Sequence, residues 1–177
     1  CKIDSPDILH KSDVGGVMLN LSSDQEVERA FDLLLHNASK HCPSARIHGV
    51  LVKSMLKSAT EIIIGINRDP QFGPIVMVGL GGVFCRNFLR MSKFAPAPLR
   101  KEEALSMIQR LKGYPLLNGY RGKPPCDVDA LATLLVQISE SAANHRDTLK
   151  ELDLNPVFVD ENGVAIADAL VICVRKN

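Results

Sequence analysis

The sequence predicts an α+β chain, with a mixed, largely antiparallel sheet flanked by helices. Three observations carry this. Apolar, β-branched runs occur in pairs close enough to form hairpins. Three other stretches place apolar residues at helical spacing. The two kinds of element are interspersed, so strands come both as hairpins and separated by helices.

In chain order, Lys2-Ile3 is extended, and a polar, glycine-bearing loop through Ser5-Pro6 and His10 to Gly16 leads to a strand at Val17–Leu21. Ser23 with Glu26 three residues on is a capping box. Val27, Ala30, Phe31, Leu34, Leu35 and Ala38 then make one apolar stripe, so residues 24–40 are an amphipathic helix ending near Pro43. Ile47–Met55 and Glu61–Asn67 read as strands, and the short run Leu56–Thr60 between them suits a hairpin. Asp69 to Pro74 is turn-rich. Ile75–Leu80 is a short apolar strand running into Gly79-Leu80-Gly81-Gly82. Residues 86–100 are basic and irregular, with Pro96 and Pro98 breaking any helix. Lys101–Lys112 is a second helix, with Ala104, Leu105, Ile108 and Leu111 inward and Gly113 as its stop. Arg121 to Pro125 is a loop. Asp127 caps a third helix carrying Val128, Leu131, Leu134, Leu135 and Ile138 on one face. Leu149–Asp160 and Val164–Val174 close the chain as strands joined by the turn Asp160-Glu161-Asn162-Gly163.

The 177 residues make one ordinary domain or two small lobes, and 46% are hydrophobic. At this length about 70% of the unfolded surface can be buried, so no metal or disulfide staple is needed. Lys plus Arg is 21 against 20 for Asp plus Glu, a balance that argues against nucleic-acid binding, which relies on phosphate neutralisation. Trp is absent and Tyr occurs twice, which leaves little for a stacking platform. No apolar run reaches the ~18 residues needed to cross a bilayer. Cys1, Cys42, Cys85, Cys126 and Cys173 are widely spaced and lack metal-ligand spacing, so they read as reduced thiols of a cytoplasmic protein. The start on Cys1 rather than Met suggests a piece of a longer chain.

Glu151, Asp153 and Asn155 alternate on one strand and so share a face. Asp168 lies on the next strand and can approach Asp153 and Asn155. Hard oxygen donors on rigid strands suit Mg²⁺ when phosphates complete its shell. A solvated edge hairpin shows the same pattern. Gly15-Gly16 and Gly79-Leu80-Gly81-Gly82 allow backbone N–H groups near phosphate, or serve only as tight turns. His10 lies in a polar loop beside Lys11, Ser12 and Asp13. It suits a nucleophile or acid–base, or a plain surface histidine. His36, His41, His48 and His145 read as scattered surface residues. Lys2 and Lys53 lie on extended segments and can aim charge at phosphate or a base ring. Arg86, Arg90, Lys93, Arg100 and Lys101 form a local basic patch.

With these residues in view, the sequence resembles the nucleotide-binding, ATP-grasp half of NDP-forming acyl-CoA synthetases, in the succinyl-CoA synthetase superfamily. The matching stretches are Lys2-Ile3 with residues 5–17, residues 49–55, Glu61 to Gly65, Asn67 to Pro74, Gly79 to Gly82, Gly119 with Arg121-Gly122, and Glu151 to Pro156. They keep their order through nearly the whole chain. Residues 10–16 and 68–74 are the most specific. The resemblance implies an ATP-grasp fold over residues 1–177, lacking the part of the small lobe that precedes Lys2. It implies that Lys2 faces ATP phosphates, that Lys53 lies on the hinge strand near adenine, and that Glu61 also belongs to the nucleotide site. His10 matches a phosphate-carrying histidine. Asp153, Asn155 and Asp168 match the Mg²⁺-binding positions.

The implied reaction interconverts acyl-CoA, ADP and phosphate with carboxylate, CoA and ATP. The implied partner is a CoA-binding half that receives CoA and the acyl substrate. Membrane and nucleic acid are not implied. Two departures stand out. Arg86 and Arg90 occupy positions where the family places acids, with the stretch Met91 to Pro98 one residue longer, and the segment that the family carries before Lys2 is missing. The alternative is therefore a non-catalytic nucleotide-binding or regulatory module within a fused protein.

Overall fold

The computed structural model describes residues 1–55, 59–82, 92–120, 122 and 124–174. The chain divides into two compact units, Cys1–Lys57 and Ser58–Asn177. Cys85, Arg86, Arg90 and Arg121 lie outside the described residues, as does most of the expected hairpin run between residues 56 and 60.

In the first unit, β1 (Lys2–Asp4) pairs antiparallel with β2 (Gly49–Leu51), placing Ile3 opposite Val50. Helix α1 (Asp24–His41) starts where the capping signal predicts. Ser23 Oγ accepts from the Glu26 amide at 3.3 Å. The Glu26 carboxylate reaches one residue further back than a standard box, accepting from the Ser22 amide at 2.7 Å and its hydroxyl at 3.0 Å. The core is Ile3, Ile8, Leu34 and Ala38. Phe31, expected inward, is 42% exposed at the margin of the stripe.

Two expected strands shrink here. Val17–Leu21 is reduced to an isolated bridge between Val17 and Lys2, and Asn20 enters the left-handed region at φ 59°, which a strand cannot follow. Ile47–Met55 is reduced to Gly49–Leu51, because its partner β1 offers only three residues. The expected hairpin with Glu61–Asn67 does not form, since β2 pairs with β1 in its own sheet.

In the second unit, β3 (Thr60–Asp69) and β4 (Gly73–Leu80) form a long hairpin. Asp69 Oδ1 closes its tip by accepting from the Gln71 and Phe72 amides at 2.8 and 2.9 Å. A strand not foreseen, β5 (Ser92–Pro96), adds to the β4 edge. Next come α2 (Lys101–Gln109), α3 (Tyr114–Leu117) and α4 (Val128–Asn144), then β6 (Leu149–Asp160), β7 (Gly163–Ile166) and β8 (Ala169–Cys173). The strand order is β5-β4-β3-β6-β7, with β8 also on β6, and every pair is antiparallel. The single expected strand Val164–Val174 is therefore two. Asp127 caps α4 by accepting from the Ala130 amide at 2.8 Å.

Ile62, Ile64 and Ile66 of β3 and Val76, Val78 and Leu80 of β4 face one side, in one core with Ala104, Ile108, Leu131 and Leu135 of the helices. Helix α2 ends earlier than expected, at Gln109, and Gly113 precedes α3 instead. Its small size has a packing cause, because a Cβ there would fall inside the side chain of buried Leu80. At φ −95° alanine is otherwise allowed. Gly113→Ala should thus destabilise the chain by about 1–3 kcal/mol through overpacking. In denaturant titration, Leu80→Ala in the same chain should cancel part of that loss, and simple additivity would contradict the packing explanation.

Asp7 and Arg46 tie two distant stretches of the first unit. The Arg46 guanidinium donates to both Asp7 oxygens at 3.0 Å, and the Arg46 amide donates to Oδ2 at 2.8 Å. These bonds hold the Asp7 carboxyl down to about 2 from its ordinary 3.8. A depressed acid stabilises the fold above its ordinary value, and that contribution fades as pH falls from 3.8 through about 2. Arg46→Ala should return the Asp7 pKa toward 3.8 in an NMR carboxyl titration. An unchanged midpoint would rule out Arg46 as the cause.

Candidate functional site

The two faces of the second unit's sheet differ in kind. β3 sends Ile62, Ile64 and Ile66 to the core, so Glu61, Gly65 and Asn67 lie on the other face. Their partners on β6 are Phe158, Asp153 and Glu151 in the same order. Asp153 in turn faces Leu170 of β8, and Leu154 faces Ala169. One step further, the Asn155 amide donates to the Asp168 carbonyl at 3.2 Å, which sets Asp168 directly across from Asn155.

The local cause of this arrangement is a break in the last strand. The Ala169 amide donates to Asp168 Oδ1 at 3.0 Å. A carboxylate that captures the next backbone N–H competes with the ladder, and β7 ends at Ile166 while β8 starts at Ala169. Asp153 and Asp168 are half-buried and Asn155 is exposed. The sheet thus brings together the three positions expected to hold a cation. They offer two carboxylates and one amide, all hard oxygen donors, and Gly65 opposite Asp153 adds no side chain. This set fits Mg²⁺, which binds through one or two carboxylates and leaves other positions to water or phosphate. Among the described residues no group of three or more His, Cys, Asp or Glu side chains is placed to hold a metal ion, and this set has two carboxylates with Asn155 as its third donor.

Glu61 is half-buried at the start of β3. The Gly81 amide donates to its carbonyl at 2.7 Å. A Cβ on Gly81 would come within 3.0 Å of Glu61 Cβ, and one on Gly82 within 3.2 Å of Glu61 Oε2. The glycines at the end of β4 therefore clear space for Glu61, a packing reason the motif alone did not reveal.

The other expected residues belong to the first unit. Lys2 lies in β1 opposite Leu51. Lys53 falls beyond the end of β2 and is exposed, so it does not sit within a paired strand. His10 is exposed and immediately precedes a single 3₁₀ turn, Lys11–Val14. Gly15 closes that turn in the left-handed region at φ 61°, and its carbonyl accepts from Asn37 Nδ2 at 3.1 Å. The Gly16 amide returns to the Lys11 carbonyl at 2.8 Å.

Two contributors escaped the sequence reading. Arg46 is 39 positions from Asp7 and Asn37 is 22 from Gly15, and no local pattern links such pairs. The remaining histidines have structural roles where bonds are seen. His41 and His145 bond the carbonyls of Asn37 and Ser141, four residues back at helix ends.

The chain matches the family model of the ATP-grasp domain over residues 1–173. It is 44% identical over 171 residues to the beta subunit of ADP-forming acetate–CoA ligase I from Pyrococcus furiosus, covering 97% of this chain and 73% of the relative. It is 46% identical over 167 residues to ADP-forming acetate–CoA ligase I from Archaeoglobus fulgidus, spanning 94% of this chain but only 24% of that protein. A solved structure of the dinucleotide-forming acetyl-coenzyme A synthetase 1 of Ca. Korarchaeum cryptofilum, in complex with coenzyme A and Ca-AMPCP, superposes with a TM-score of 0.92. It is 43% identical, covering 98% of this chain and 75% of that one. The same synthetase has been solved with Mg-AMPPCP and its phosphohistidine segment pointing toward the nucleotide-binding site, and with that segment phosphorylated in what is called its site I orientation. The chain belongs to the ATP-grasp family, in the branch that includes the beta subunits of ADP-forming acetate–CoA ligases.

Proposed function

We propose that this chain is the nucleotide-binding part of an ADP-forming acyl-CoA synthetase. The reading is that it interconverts acyl-CoA, ADP and phosphate with carboxylate, CoA and ATP, together with a CoA-binding half. The observation that supports this most is the 44% identity across 73% of a beta subunit of that activity. The residues of both units agree with it. His10 is the exposed nucleophile of a polar turn. An imidazole nitrogen of His10 attacks the terminal phosphorus of ATP, the bond to the bridging oxygen breaks, and ADP leaves with that electron pair. The phosphoryl group stays on His10 until it is passed to the acyl carboxylate at the other half. ADP takes it back in the reverse direction.

Asp153, Asn155 and Asp168 would hold Mg²⁺, which when bound supplies positive charge against the phosphates. Lys2, Lys53 and Glu61 are assigned to the nucleotide, the lysines for its phosphates and base and Glu61 beside the glycine turn. CoA and the acyl group reach the reaction through the CoA-binding half, either a separate subunit or part of the same chain. No helix among the described residues is long and apolar enough to cross a membrane. Cys1, Cys42, Cys126 and Cys173 are free thiols, which supports a reducing, cytoplasmic setting.

With radiolabelled ATP, His10→Ala should abolish acid-labile, base-stable phosphate on the protein while leaving nucleotide binding nearly intact. Equal labelling of the variant would sink the histidine assignment. Asp168→Asn should weaken Mg²⁺-dependent nucleotide binding by at least about tenfold, since even an outer partner of a metal ligand is worth about 10–100-fold in affinity. An unchanged calorimetric titration would remove Asp168 from the metal site.

A further inference from the structure

The His10 segment has an unusual mechanical frame. Ile8 is buried in the first unit's core, and Leu9 directly after it is 53% exposed. From His10 on, three backbone bonds close the segment on itself, the Asp13 amide to the His10 carbonyl, Gly15 to Ser12, and Gly16 to Lys11, and at its far end the Gly16 carbonyl accepts from the Ile3 amide of β1 at 2.8 Å. Asn37 holds the far end through Gly15. Asp7 holds the near end, where three hydrogen bonds from Arg46 converge on a single carboxylate.

That convergence is more than stability requires. Exposed ion pairs contribute about 0–1 kcal/mol, and Arg46 is 74% exposed. What a two-pronged guanidinium plus a backbone amide does supply is a fixed orientation. Arg46 is set beside Ala45 and Ile47, which pack on the same core as Ile8. Asp7 is thereby registered to the core by a polar clamp one residue before Ile8 registers the chain by burial.

The geometry points to Asp7 and Arg46 as positioning residues, the fixed root from which the His10 segment presents its imidazole. This rests on the reading of His10 as the phosphate carrier. A segment that must deliver one atom to a phosphorus gains rate from a fixed root, because a loosened root dilutes the reactive geometry. The pair touches neither nucleotide nor metal in this scheme, so it acts on presentation and not on binding.

The test is single-turnover phosphorylation of His10 by radiolabelled Mg-ATP in the full-length protein. Arg46→Ala and Asp7→Asn should slow labelling by at least about tenfold at saturating ATP. The KM for ATP should stay within about twofold, since the contacts to the nucleotide are untouched. Arg46→Lys, which keeps the charge without the fork, should fall between them and the parent. The charge-swapped pair Asp7→Arg with Arg46→Asp should recover part of the rate, and it serves if a single variant folds poorly. Labelling rates within twofold of the parent, or a KM that rises in step with the loss, would overturn the proposal. If the parent itself carries no phosphate on His10, the reading beneath it fails first and the positioning role falls with it.

Discussion

The second unit depends on one extra residue in β6. Ile62 of β3 pairs with Val157 and Ile64 pairs with Leu154, so two steps along β3 match three along β6. The surplus falls at Asn155-Pro156, where proline has no N–H to give the ladder. Before this bulge the inward residues of β6 are Leu152 and Leu154; after it they are Val157 and Val159. Side-chain direction alternates strictly along a strand, so without the bulge one half of β6 would present its polar set to the core. The bulge keeps four apolar residues on the helix-covered side. It also leaves Asp153 and Asn155 on the opposite face, beside the break at Asp168.

The division of labour within the sheet follows from that constraint. One face spends its area on isoleucines, valines and leucines packed beneath α2 and α4. The other carries Glu61, Asp153 and Glu151 in register across β3 and β6. A carboxylate can stay half-buried there because its strand is fixed by burial on the far side. The first unit works differently. Its core is small, and its polar segment is held by side chains from distant positions, Arg46 and Asn37. Those bonds add little stability at exposed sites but narrow the conformations available to the residues between them.

Much of the fold was legible in local pattern. The helix after Ser23, the helix after Asp127 and the whole span Leu149–Asp160 form where caps, periodicity and alternation place them. The misses share a cause. Ser92–Pro96 carries a lysine and a proline and reads as irregular. It becomes a strand because β4 offers it an edge, where Pro96 at the end costs no ladder bond. Val17–Leu21 and Ile47–Met55 have strand-like composition but lack a partner of matching length. Pairing, not propensity, decided all three.

The sequence by itself determined which residues seek the interior, where helices begin, and the alternation that puts Glu151, Asp153 and Asn155 on one side of a strand. It also carries the motifs of the family, at residues 10–16 and 68–74 above all. These are local properties, set by backbone periodicity and by the chemistry of neighbouring side chains. Only the tertiary structure decided that Asp168 lies across from Asn155, that Gly81 and Gly82 make room for Glu61, that Gly113 yields to Leu80, and that Arg46 grips Asp7. Each of these joins positions far apart in the chain, and such contacts exist only once packing has brought the segments within reach of a hydrogen bond or a van der Waals contact.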